Sequence, residues 1–282
     1  MTFIESIILG IIQGLTEFLP VSSTGHLTLA GKIMGLIDLN KPEQWTAFIA
    51  VIQLGTLLAI IVYFWNDLWK ILLDFLSDNV LNPKRFSKQT SNSKMGWYII
   101  LGSIPVVIIG LGFKDIIEGV FTKNLYVISG SLIALALILA LAEKKGTFKK
   151  DLTMVTWKSA LIVGFAQSLA LIPGSSRSGT TITAAMFLGF KRETAARFSF
   201  LLSVPAILGS GLLEFYHALH YLDKDGLLIL LIATIVSAVS GYLTIAFLLN
   251  YLKKHSTYVF VIYRITVGLI IIILLGFNII SV

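Results

Sequence analysis

Apolar residues run in long blocks along the chain, separated by short polar breaks. The windows 45–65, 125–142, 227–249 and 265–280 hold few or no charges. Each is long enough to cross a hydrocarbon core about 30 Å thick. The most charged breaks fall near 66–97, 143–158, 190–197 and 250–258, with weaker ones near 31–44, 113–124 and 216–226. This pattern predicts six full spans, near 45–65, 96–112, 125–142, 198–215, 227–249 and 258–280. Two further apolar regions, 1–30 and 159–189, carry proline and clustered glycine and serine at their centres. Each of their arms is too short to span alone. They are expected to be re-entrant hairpins, because non-helical backbone at membrane depth must be buried in protein or line a cavity. The expected fold is therefore an all-α polytopic membrane protein, with no strand pattern of the barrel kind.

Charge fixes an orientation for this layout. Fifteen Lys and Arg, from Lys70 to Lys254, fall on one side; five, Lys32, Lys41, Lys114, Lys123 and Lys224, fall on the other. Arg177 and Arg264 lie within the apolar regions. The positive-inside rule makes the richer side cytoplasmic and both termini extracytoplasmic. Each half, 1–142 and 152–282, is then one hairpin plus three spans. Three is odd, so the halves form an inverted-topology repeat, with the hairpin tips meeting near the midplane. Such repeats with broken helices are typical of transporters.

Composition removes several alternatives. Charged residues are 13% of the chain, against about 25% in soluble domains. The net charge of +7 follows from membrane topology, so no nucleic-acid partner is expected. Cysteine is absent, which excludes disulfides and thiolate chemistry. The first ten residues lack a basic n-region, and Glu5 sits where a base would be needed, so no cleavable leader is expected. Trp65, Trp69, Trp97 and Trp157 fall where an interfacial belt would lie. Pro105 and Pro205 are expected to kink their spans. Gly102, Gly110 and Gly112 suggest close helix packing. The stretch 78–94 is polar and basic and reads as a solvated, mobile loop.

The chemistry concentrates in two segments that resemble each other. The first runs Gln13-Gly-Leu-Thr-Glu17-Phe-Leu-Pro20-Val-Ser22-Ser23-Thr24-Gly25-His26. The second runs Gln167-Ser-Leu-Ala-Leu171-Ile-Pro173-Gly174-Ser175-Ser176-Arg177-Ser178-Gly179-Thr180-Thr181. Each reads Gln-x-Leu, then Pro-x-Ser-Ser, then Gly. An acid and an imidazole on one copy and a guanidinium on the other suggest one site built from two halves, since intramembrane charge marks function by default. Arg177 presents a planar fork suited to phosphate. Gly174, Ser175, Ser176, Ser178, Gly179, Thr180 and Thr181 can add backbone N–H groups and hydroxyls, helped by a helix N-terminus near Ser178. Ser22 and Thr24 offer the same from the first copy. Gln13 and Glu17, four apart, share one helix face, where Glu17 is the better ligand for a hard cation. Ser23 and His26, three apart, are the candidate nucleophile and proton-transfer pair.

These two strings resemble the signatures of the undecaprenyl-diphosphate phosphatases, also called the bacitracin-resistance protein family. The resemblance extends over the whole chain in length, span order and motif position. It implies a membrane enzyme that removes the terminal phosphate of a polyprenyl diphosphate and returns the lipid carrier to cell-wall synthesis. It implies Mg²⁺ or Ca²⁺ as cofactor, with Glu17 and Gln13 as its ligands, and a multi-pass protein of the bacterial cytoplasmic membrane. The family allows Glu or Gln at the first of these positions; here Gln13 offers only a neutral oxygen. A phosphoseryl route through Ser23 and direct attack by a water activated by His26 or Glu17 are both left open, as is a homo-oligomer.

Blander readings stand beside these. Glu17 and Arg177 could be a structural pair. Ser22, Ser175 and Ser178 could simply bond to nearby carbonyls. Arg264 is expected to snorkel or pair internally. His217 and His220, beside Asp223 and Asp225, read as a hydrated interfacial end rather than a metal site. The rival function is a polyprenyl-phosphate flippase or other transporter, favoured by the repeat alone. A membrane scaffold with structural polar pairs is a third.

Overall fold

The computed structural model describes residues 1–220 and 222–280, and all regular structure among them is helical. In chain order the α-helices are α1 (Phe3–Phe18), α2 (Ser23–Ile33), α3 (Pro42–Tyr63), α4 (Trp65–Leu76), α5 (Ser91–Gly112), α6 (Lys114–Glu118), α7 (Leu125–Lys145), α8 (Trp157–Ser168), α9 (Arg177–Phe187), α10 (Arg192–Ala218), α11 (Lys224–Leu252) and α12 (Tyr258–Gly276). Six of them, α3, α5, α7, α10, α11 and α12, are long and apolar enough to cross a membrane. They coincide with the six spans expected from the hydropathy pattern. The protein is a multi-pass helical membrane protein.

α1–α2 and α8–α9 are the two broken segments. At 16, 11, 12 and 11 residues, their helices fall below the roughly 20 residues a crossing needs. Side-chain caps define where each begins. Thr2 and Glu5 close a capping box on α1, and Thr156 and Ser159 do the same on α8. Pro20 and Pro173 sit in the breaks, where they cost no helical hydrogen bond. The second segment returns to its starting point: Lys149 and Lys150 donate to the Gly189 carbonyl, and Lys191 donates back to that of Lys150. Met1, at the start of the first segment, lines one shallow cavity with Gln44 of α3.

Helices early in the chain pack on helices late in it. α1 lies along α11 and α8 lies along α5, while α3 meets α10 and α7 meets α12. Close approach needs small residues here. A Cβ on Gly164 would stand 2.2 Å from the Gly102 carbonyl oxygen, and one on Gly14 would stand 2.6 Å from the Gly241 nitrogen. Without a hydrophobic drive between helices in lipid, this intimate packing holds the bundle together. Gly110 and Gly112 depart from the expectation: a Cβ at either meets nothing within 4 Å.

Loop contacts sort the breaks into two ends. At one, Lys123 Nζ donates to Thr46 Oγ1, and Met1 and Asp223 share the shallow cavity. At the other, Glu143 accepts from Arg192 and from the Thr257 hydroxyl, and Asp67 accepts from Arg197 at 2.6 Å. The stretch after the first span is not the plain loop expected from its polarity. It opens with α4, whose Trp65, Trp69, Leu72, Leu73 and Leu76 are all exposed, a face suited to an interfacial helix. The chain that follows is tied down. Asp78, buried, accepts from Lys84 Nζ at 2.6 Å and from the Thr90 N–H at 2.8 Å.

Candidate active site

The two breaks meet. Ser178 Oγ, from the second, donates to the Leu19 carbonyl in the first at 2.9 Å. Arg264 of α12, fully buried, reaches into both: its guanidinium points to the Pro20 carbonyl and to those of Gly174 and Ser175 at 3.4, 3.3 and 3.0 Å. It also donates to the Leu132 carbonyl at 3.2 Å. The expected internal pairing of Arg264 is thus made with peptide oxygens. Ser131 Oγ donates to the Pro173 carbonyl, in a space Gly174 leaves clear at φ +87°.

Within each break the backbone repeats one device. Ser22 and Ser176 both have positive φ, 77° and 69°. Both are N-caps, accepting from the Gly25 and Gly179 N–H groups. A serine in this region costs roughly 1–3 kcal/mol. Ser22 therefore matches Ser176, and Ser23 matches Arg177. This corrects by one residue the register that the Pro-x-Ser-Ser strings suggested. The cause is local: α1 stays helical to Phe18, whereas α8 tightens into a 3₁₀ turn at Leu169–Leu171.

The catalytic candidates converge on one carboxylate. Glu17 Oε1 accepts from Arg177 Nη2 at 2.7 Å; Oε2 accepts from Ser23 Oγ at 2.6 Å and from Gln13 Nε2 at 3.0 Å. The Glu17 and Arg177 side chains are only 3% and 12% exposed. Charges this buried persist only when paired. The expected Ser23–His26 pair is not made. His26 Nδ1 donates to the Ser22 carbonyl, and its Nε2 accepts from the Tyr263 hydroxyl, each at 2.7 Å. One helical turn separates Ser23 from His26, but the hydroxyl turns toward Glu17.

A cavity of about 460 Å³ opens beside this carboxylate. Of the residues singled out in the sequence, Glu17, Ser22, Ser23, Thr24, Gly174, Ser176 and Arg177 line it. Others lie behind the wall. Thr180 and Thr181 donate to the Arg177 carbonyl at 3.0 and 2.7 Å, and Gly179 leaves room for Arg264. Gln13, His26, Ser175 and Ser178 also sit outside the lining and support the loops.

Sequence reading passed over Thr28, Trp45, Gln53 and Gln167, which line the same cavity. Three of them carry buried polar atoms without a hydrogen-bond partner among the described residues: Thr28 Oγ1, Trp45 Nε1 and both amide atoms of Gln167. Arg177 Nη1 is in the same condition. Leaving such groups unsatisfied costs about 1–3 kcal/mol each, so their gathering around one cavity points to a polar ligand. Gln167 had a signal, as the repeat counterpart of Gln13. Trp45 had none.

A helical membrane protein with a buried carboxylate, hydroxyl and guanidinium around a cavity belongs to the class that acts on polar lipid head groups or carries polar solutes. Residues 6–270 match the family described as Bacitracin resistance protein BacA, and the chain belongs to that family. It is 57% identical to a protein of Syntrophobacter fumaroxidans named Undecaprenyl-diphosphatase, over 95% of each chain. It is 50% identical to the Undecaprenyl-diphosphatase of Chloroherpeton thalassium and 48% to that of Chlorobium phaeovibrioides, over 98% of each chain.

Proposed function

We propose that the protein is a phosphatase of undecaprenyl diphosphate, releasing inorganic phosphate and the lipid monophosphate. The observation that carries this reading is the Glu17 carboxylate, which holds Ser23 and Arg177 from opposite breaks at 2.6 and 2.7 Å. The relatives' names supply the substrate.

Arg177 would bind the diphosphate through its unpartnered Nη1, aided by Gln167 and the Trp45 N–H. Ser23 Oγ attacks the terminal phosphorus while its proton passes to Glu17 Oε2. The bond from that phosphorus to the bridging oxygen breaks, and the lipid monophosphate leaves. A water then attacks the phosphoserine, and Glu17 relays a proton back to Ser23 as phosphate departs. This route accounts for the Ser23–Glu17 bond better than a water activated by His26. His26 positions the Ser22 carbonyl, and so the strained turn before Ser23.

The donors present fit a hard divalent cation when substrate oxygens complete the shell. Among the described residues Glu17 is the one carboxylate on the cavity wall near Ser23, and Gln13 Oε1, just behind that wall, is buried without a partner. Mg²⁺ typically takes one or two carboxylates plus phosphate and water. Bound there by Glu17 and Gln13, such a cation would offset charge on the diphosphate. No group of three or more His, Cys, Asp or Glu that could hold a metal unaided occurs among the described residues.

We further read α1–α2 and α8–α9 as re-entrant, the halves 1–142 and 152–282 as an inverted repeat, and the protein as resident in the bacterial cytoplasmic membrane. The packing of early helices on late ones and the adjoining ends of the second hairpin support this. The lysine-poor end, where the cavity rim carries Lys114 and Lys123, would face outward with both termini.

Phosphate release from undecaprenyl diphosphate by purified protein, with and without EDTA, tests the reading. Metal-dependent release that collapses in Glu17→Ala and Arg177→Ala at equal folded yield is expected. No release from folded wild type with metal supplied would move the assignment to a transporter.

A further inference from the structure

α5 and α10 touch and then part. Ser103 Oγ lies 3.4 Å from the Leu202 carbonyl oxygen, and Gly102 packs on Leu202 and Ala160. Pro105 and Pro205 follow within a turn, each inside its helix. Beyond them the two helices line one cavity, with Val106 and Leu111 from α5 and Ala206 and Leu213 from α10. It is the cavity that reaches Glu17, Ser23 and Arg177. Gly110 and Gly209 also line this stretch, and a Cβ on either would meet nothing within 4 Å. Glycine between membrane helices usually brings backbones together. Here it leaves a gap.

A hydrocarbon chain attached to a head group at Arg177 has to leave this cavity. At its far end the lining is charged: Lys114, Glu118, Lys123 and Glu214. An apolar chain gains nothing by passing through that rim into water; each CH₂ returned to an apolar setting is worth about 0.8 kcal/mol. The side between α5 and α10 is apolar, and Ile108 and Leu208 on the same stretches are 64% and 43% exposed, as lipid-facing residues would be.

We propose that the cleft between α5 and α10, beyond Pro105 and Pro205, carries the polyisoprenoid chain from the diphosphate site into the bilayer, with Gly110 and Gly209 providing its clearance. The inference rests on the phosphatase reading for the nature of the head group. A Cβ at either glycine has open space around it, and glycine is the poorer helix former, so leucine at either should reach into the cleft and both variants should fold.

The test uses full-length protein in phosphatidylglycerol–phosphatidylethanolamine nanodiscs. KM is measured for undecaprenyl diphosphate, together with the inhibition constant of isopentenyl diphosphate, whose five-carbon tail is too short to use the cleft. Gly110→Leu and Gly209→Leu should raise the lipid KM about tenfold or more and leave the inhibition constant unchanged. Gly276→Leu, equally open but outside the cavity lining, should change neither. An unchanged lipid KM in both cleft variants would overturn the proposal. A photoreactive polyprenyl diphosphate on wild type gives a second reading that needs no variant. Labelling within 106–111 or 206–213 is expected, and labelling confined to other helices would overturn the proposal. Failure of the phosphatase reading looks different: wild type would release no phosphate, whatever the label marks.

Discussion

Glu17 is where both halves of the site become one, and its two oxygens do different work. Oε1 meets Arg177 and Oε2 meets Ser23 and Gln13. Glu17→Gln loses the base and also leaves the buried Arg177 without its counter-charge, so folded yield should fall somewhat, while kcat per folded molecule falls by about two to four orders of magnitude. Ser23→Ala should lose at least as much and accumulate no phosphoserine, whereas wild type quenched in mid-turnover should show it by mass spectrometry. Turnover by Ser23→Ala near the wild-type rate would instead favour direct attack by water. Gln167→Leu removes two buried polar atoms that lack partners. Stability should hold or rise, since apolar replacement ends an unsatisfied burial, while KM for the lipid diphosphate rises. The carboxylate, hydroxyl and guanidinium were legible as residue types in a setting too apolar to tolerate them idly. Their partners were not: spacing alone suggested Ser23 with His26, and the fold gave Ser23 to Glu17.

At the scale of elements, the six spans were legible because an uncharged apolar run of sufficient length has few soluble alternatives. The broken helices were legible because proline and serine interrupt apolar arms too short to cross. α4 was hidden, since its lysine and aspartates read as loop polarity while several of its large apolar residues stay exposed. The following chain depends on Asp78. The Lys84 ammonium and the Thr90 N–H hold its carboxyl below the ordinary value of 3.8. A carboxylate with a depressed folded pKa stabilises fully above the unfolded value and stops doing so as pH falls through the folded one. The stretch 77–90 should therefore stay ordered at pH 5 and loosen only below the ordinary aspartate range. The Thr90 amide resonance should report this, and Asp78→Asn should flatten its titration.

For the whole molecule, Arg264 shows what assembly demands. It is fully buried and donates to carbonyls of α7 and of both breaks. Hydrogen bonds to charged groups contribute about 1.5–3 kcal/mol each. Arg264→Gln should thus lower the thermal midpoint in detergent measurably and depress turnover along with it. Arg264→Lys should restore neither fully, because a point charge cannot serve carbonyls spread over a planar fork. If Arg264→Gln abolished turnover with an unchanged melting curve, the residue would be acting on substrate rather than holding the breaks together.

The sequence by itself determined the membrane class, the number of spans, the two interrupted segments and the residue types at their centres. Those follow from local rules: hydropathy over a bilayer's thickness, proline without an N–H, and the cost of charge in an apolar run. Tertiary structure alone decided which oxygen of Glu17 meets which partner, and that Thr28, Trp45 and Gln167 face the cavity. It also decided that Gly102 closes a contact while Gly110 leaves a gap. Each of these depends on how helices far apart in sequence lie against one another, and hydropathy and spacing carry no record of that.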